Sequence, residues 1–149
     1  MEIAPGIHWI EGTKANCYLL TDRELTLIDA GMSRNPKKIL AYLSKLKYQP
    51  SDLKTVIITH AHPDHTGGLA QLTRLTGAKV AIHSADADYL SGTRKFPYPK
   101  GGIGILFRIL SFFMKAKPVR PDIILNENDT ISGLTVIHTR AHAWKHCTV

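Results

Sequence analysis

Three observations predict a layered α/β fold for this 149-residue chain. Short apolar runs alternate with stretches of helical periodicity. One run, Val56-Ile57-Ile58, is apolar at every position, as in a strand covered on both faces. Polar loops carrying Asp, His and Gly follow two of these runs directly, so chemistry-bearing residues stand at strand ends.

Taken in order, residues 7–10, 17–21 and 25–28 read as strands, the last two joined by the turn-like Thr21-Asp22-Arg23-Glu24. Leu25-Thr26-Leu27-Ile28 runs straight into Asp29-Ala30-Gly31, which sets an acid where a buried strand ends. Residues 35–46 read as a helix. Asn35 is placed as its cap, Pro36 suits its first turn, and Ile39, Leu40, Leu43 and Leu46 line one face. After the strand at 56–58 come a helix at 71–75, a strand at 79–82 and a short helix at 85–90. Strands return at 123–125 and 134–137, with no internal repeat and no low-complexity tract.

Composition bounds the rest. With 44% apolar and 21% charged residues, the length suits one domain, 1–149, with a single core. Long disorder, a collagen-like repeat and a disulfide scaffold are excluded, since only Cys17 and Cys147 could pair. The opening Met1-Glu2-Ile3-Ala4-Pro5-Gly6 has neither the basic nor the apolar region of an export signal, so a cytoplasmic location is expected.

The formal charge of +7 sits in one place. Residues 93–120 hold Arg94, Lys95, Lys100, Arg108, Lys115, Lys117 and Arg120 and no acid, while the remainder is neutral. That pattern reads as a basic, lid-like insert that could attract an anionic small molecule, or as a solvated insertion. It does not favour nucleic acid, which calls for a basic face built from several elements with stacking aromatics. Within the insert, the apolar stretch 103–114 is too short to span a bilayer, and a helix packed over its own domain is expected.

The strongest signal follows the apolar run: Thr59-His60-Ala61-His62-Pro63-Asp64-His65-Thr66-Gly67-Gly68. Four potential metal ligands fall within six residues at a strand end, and imidazole with carboxylate suits zinc, with iron or manganese also compatible. Pro63 stiffens the loop, Gly67 and Gly68 allow close backbone approach, and Thr66 is placed as a cap for the next helix. His8 and His83, in or after strands, read as structural.

This stretch resembles the H-x-H-x-D-H signature of the metallo-β-lactamase-fold hydrolases, and the likeness extends over most of the chain. Leu27-Ile28-Asp29-Ala30-Gly31 resembles that family's first motif, and Asn16-Cys17-Tyr18-Leu19-Leu20 its glyoxalase-II-like branch. The resemblance implies the N-terminal part of a four-layer αβ/βα sandwich. It implies that His60 and His62 bind a first zinc ion, that Asp64 and His65 bind a second, and that Asp29 supports the metal loop without binding metal. A metal-held hydroxide would attack the substrate, with Asp64 able to orient it. The family's third metal histidine falls in a segment usually reading H-T-P-G-H-T-P-G-S, which aligns His142 with the ligand.

Here that segment reads His138-Thr139-Arg140-Ala141-His142-Ala143-Trp144-Lys145-His146, without the Pro-Gly pairs. With codons permitted by these residues, starting at the second base of the Thr139 codon yields Pro-Gly-His-Thr-Pro-Gly-Ser-Ile-Ala-Leu, the family motif. Residues 140–149 are therefore expected to be a frame-shifted tail on an incomplete domain. The later Asp and His ligands of the family would lie beyond it.

The functional expectation is a metal-dependent hydrolase of a small ester, thioester or lactone-like substrate. The alternatives are a phosphodiesterase or nuclease of the same fold, and a catalytically dead fragment that still binds metal. Substrate-contacting residues and oligomeric state are not assigned.

Overall fold

The computed structural model describes residues 1–13, 15–95 and 116–139. The apolar stretch 103–114, most of the basic insert, and the tail with His142 lie outside the described residues.

The described residues form one seven-stranded sheet and a separate hairpin. Four strands come first: β1 (Glu2–Ala4), β2 (Ile7–Ile10), β3 (Cys17–Leu20) and β4 (Thr26–Ile28). They run antiparallel to their neighbours. From β4 onward the connections change. The helix α1 (Asn35–Lys45) leads to β5 (Thr55–Ile58), the helices α2 (Pro63–Thr66) and α3 (Leu69–Thr76) to β6 (Lys79–His83), and α4 (Ser84–Leu90) precedes β7 (Ile123–Leu125). Strands β4 to β7 are parallel, as helical crossovers require. Strand β4 is thus antiparallel to β3 and parallel to β5, the point where the sheet changes character.

Alternation along the strands sorts residues to the two faces. Leu19, Leu27, Val56, Ile58, Val80 and Ile82 pack with Ile39 and Leu43 of α1 and Leu69 and Leu72 of α3 in the main core. Each is almost fully buried, a contribution of roughly 1.5–3 kcal/mol per side chain. The opposite face holds a smaller cluster of Ile57, Ala81, Leu125 and Val136. Val56-Ile57-Ile58 is therefore buried on both sides, as its composition predicts. The smaller cluster is partly roofed by the hairpin of β8 (Thr130–Ile131) and β9 (Leu134–Thr135), whose Ile131 and Leu134 pack against it.

Several expectations need correction. Asn35 does not cap α1: Arg34 holds the cap position, without a side-chain cap bond, and Asn35 opens the helix. The reason is local. The chain bends through Gly31 (φ +62°), and a Cβ there would stand 1.9 Å from Asn35 Nδ2, so the amide fills that space instead of folding back. Thr66 does not cap α3 either. It closes α2, its hydroxyl donates to the His62 carbonyl at 3.0 Å, and Gly68 takes the cap position. The expected strand at 134–137 is shorter and belongs to the hairpin, whose turn uses Ser132 and Gly133, both at positive φ.

Cys17 is a buried free thiol, and burial pushes its pKa up to about 12. It packs as a small apolar residue and is inert as a nucleophile. Among the described residues, no helix is long and apolar enough to cross a membrane.

Candidate metal centre

The candidate centre sits at the C-terminal ends of β4 and β5, which as parallel neighbours finish at the same end of the sheet. Ile28 pairs with Ile57, and the next residue, Asp29, donates its N–H to the Ile57 carbonyl at 2.9 Å. Asp29 adopts φ +60°, a left-handed conformation that Asp tolerates better than most residues. Its carboxylate is thereby turned across to the end of β5.

The loop after β5 is pinned from both sides. Ala30 N–H donates to the His65 carbonyl and Gly68 N–H to the Gly31 carbonyl, both at 2.9 Å. Within the loop, His65 and Thr66 N–H groups both reach the His62 carbonyl at 3.0 Å, winding α2 with Pro63 in its first turn. The two glycines are required by contact. A Cβ on Gly68 would lie 2.6 Å from the Ala30 carbonyl oxygen, and one on Gly67 would lie 2.9 Å from the Ser33 nitrogen.

This winding brings the motif's side chains together. One ligand atom each from His60, His62 and Asp64 lie within 4.8 Å of one another. The His60 ring centroid is 4.9 Å from that of His62 and 4.0 Å from that of His65. His65 Nε2 stands 3.6 Å from Asp64 Oδ2, and the Asp64 side chain is 45% exposed, so the cluster opens to solvent. Two imidazoles and a carboxylate at this spacing fit a divalent ion of the zinc type. Ligand atoms on a tetrahedral ion at 2.0–2.2 Å are about 3.4 Å apart, a difference that small side-chain rotations can close.

Behind the cluster, Asp29 is 2% exposed and accepts three hydrogen bonds. Thr59 N–H reaches Oδ1 at 2.9 Å, and the Thr59 hydroxyl and His65 Nδ1 both reach Oδ2 at 2.7 Å. Burial alone would lower the pKa of His65. The hydrogen bond and charge of Asp29, with the charge of Asp64, outweigh it and leave the pKa raised. Thr59 was not singled out from the sequence, although its place directly before the first histidine of the motif was the available signal.

The other described histidines have contacts of their own. His8 is buried and its Nδ1 lies 3.2 Å from the Tyr42 hydroxyl. His83 accepts the Ala85 N–H at Nδ1, capping α4, and stacks on His138 with centroids 4.6 Å apart. Burial, followed by the proximity of His138, lowers the His83 pKa. His142 lies outside the described residues.

Comparison with known proteins agrees with this geometry. The chain is 28% identical over 118 residues to the Probable metallo-hydrolase YflN of Bacillus subtilis, covering 75% of this chain and 45% of that protein. It is 29% identical over 172 residues to the Acyl-coenzyme A thioesterase MBLAC2 of Homo sapiens, covering 95% and 57%. In three dimensions it is similar to the metallo-beta-lactamase GOB-18 of Elizabethkingia meningoseptica, with TM-score 0.77 and 28% identity over 99% of this chain and 53% of that one. The chain spans about half the length of the relatives it matches. A sequence profile described as the Metallo-beta-lactamase superfamily matches residues 10–146, and the chain belongs to that superfamily.

Proposed function

We propose that this chain carries the metal-binding half of a hydrolase acting on a small thioester or ester. The observation that carries the reading is the convergence of His60, His62 and Asp64, with His65 beside them, at strand ends braced by Asp29. His60, His62 and Asp64 would hold the ion, and zinc suits this donor set best. A bound divalent ion supplies a water of lowered pKa and polarises the substrate carbonyl. Asp64, partly exposed, would offer a carboxylate oxygen to orient that water. His65 is the ligand candidate for a second ion beside Asp64. The likeness to an acyl-coenzyme A thioesterase supports a thioester over other acyl substrates. The basic insert supports an anionic one.

We further propose that residues 140–149 derive from a shifted reading frame, and that a histidine in the restored motif, aligned with His142, supplies the third nitrogen ligand. The support is that codons compatible with residues 139–149 can encode the family motif in the neighbouring frame.

The test pairs metal binding with turnover. Purified chain should bind at least one zinc ion in competition with a chromophoric chelator, and His62→Ala should lose it. Unchanged zinc content in that variant refutes the site. Hydrolysis of an acyl thioester above that of a bis-aryl phosphate supports the reading. The reverse preference points to the nuclease alternative, and zinc binding with no turnover points to the inactive fragment.

A further inference from the structure

Thr59 carries one hydroxyl proton and faces two partners. Its Oγ1 stands 2.7 Å from Asp29 Oδ2 and 3.0 Å from His60 Nδ1. A carboxylate oxygen only accepts, so the shorter contact takes the hydroxyl proton. What remains toward His60 is an oxygen lone pair. That contact is a hydrogen bond only when His60 Nδ1 carries the ring proton, which leaves Nε2 as the lone-pair nitrogen of the neutral ring. The same Asp29 oxygen accepts Nδ1–H of His65 directly at 2.7 Å, with the same consequence for that ring. The Thr59 N–H meanwhile holds Oδ1 of the carboxylate at 2.9 Å, so its orientation is set from the strand end.

We propose that Thr59 is a positioning residue: its hydroxyl relays the Asp29 carboxylate to His60 and holds that ring in the tautomer that presents Nε2 to a metal ion. One buried acid then prepares two imidazoles, His65 directly and His60 through a hydroxyl. Groups of this kind behind metal ligands typically change metal affinity by roughly 10- to 100-fold. The importance of this relay for function rests on the metal-site reading above, but the tautomer itself is a property of the metal-free protein.

The experiment compares the wild-type chain with Thr59→Val and Thr59→Ser, all 15N-labelled at histidine. Thr59→Val keeps shape and N–H but removes the hydroxyl, and Thr59→Ser restores it. Long-range 1H–15N spectra of the metal-free proteins read each ring's tautomer, and chelator competition reads zinc affinity. His60 should be protonated on Nδ1 in wild type and Thr59→Ser and become a tautomer mixture in Thr59→Val. His65 should stay unchanged as an internal control. Zinc affinity should fall roughly 10-fold or more in Thr59→Val and recover in Thr59→Ser. A His60 spectrum and affinity that are the same in Thr59→Val as in wild type overturn the proposal. Should Thr59→Val not fold, Thr59→Ala provides the same comparison. Absence of zinc binding in wild type would sink the metal-site reading, while the His60 spectra would still decide the role of Thr59.

Discussion

Asp86 is a carboxylate in the wrong environment, and the consequence can be measured. It lies in the first turn of α4, is 2% exposed, and its Oδ2 has no hydrogen-bond partner. Burial raises its pKa from 3.8 to about 6. A raised acid is a cost to the folded state wherever it is ionised. Below pH 3.8 both states are protonated and the cost vanishes. It grows as pH rises towards 6 and is complete above that. At 1.36 kcal/mol per pKa unit, the full cost is about 3 kcal/mol at neutral pH. Asp86→Asn keeps the shape and removes the charge, so it should stabilise the chain at pH 8. The gain should shrink by roughly half between pH 8 and pH 5, because the unfolded acid is still largely ionised at pH 5. Urea unfolding of both proteins at a series of pH values reads this as a difference of free energies. A stability difference that does not vary with pH, or one that grows towards acid, would refute the assignment of a buried, unpaired charge.

Other outcomes follow from contacts already described. Gly68→Ala should destabilise the chain by about 1–3 kcal/mol in thermal or urea unfolding, because its Cβ meets the Ala30 carbonyl at 2.6 Å. It should also weaken zinc binding, since the same backbone holds the loop. Asp29→Ala removes the acceptor of three hydrogen bonds, and zinc affinity measured by chelator competition should fall 10-fold or more. Ile57→Ala leaves a hole between the hairpin and the sheet and should cost about 2–5 kcal/mol in the same unfolding assay. Resequencing the gene from the Val136 codon onward should recover two further bases near Thr139, followed by the restored Pro-Gly motif. An unaltered frame there overturns the proposal of a shifted tail.

What could be read in advance divides along a physical line. Patterns that repeat at the period of one element were readable: Val56-Ile57-Ile58 as a doubly covered strand, and Ile39 and Leu43 as the buried face of α1. The candidate cluster was readable because His60, His62 and Asp64 lie close in sequence and need only a turn to converge. Features that depend on a tertiary contact were not. Asn35 looks like a cap in sequence, yet it fills the space over Gly31. Thr66 looks like a cap, yet its hydroxyl is taken by His62. The strand β1 is three residues long and exposed, so it shows no alternation to detect. Ser132-Gly133, by contrast, carries a local two-residue turn signal between Ile131 and Leu134. Thr59 needed the pairing of two strands 30 residues apart before its hydroxyl had a role.

That pairing is also why we expect metal binding and turnover to be separable in this chain. The cluster needs a loop of six residues, one acid at the end of the neighbouring parallel strand, and two glycines that let the backbones meet. All of these lie among the described residues, in the part of the sheet with the most deeply buried strands. That set lies within the part of the relatives' length that this chain spans. The cluster is open to solvent on the side of Asp64. Perturbing Gly68, Asp29 or Thr59 should weaken metal binding even where an activity assay registers nothing, and a chain without turnover should still hold zinc.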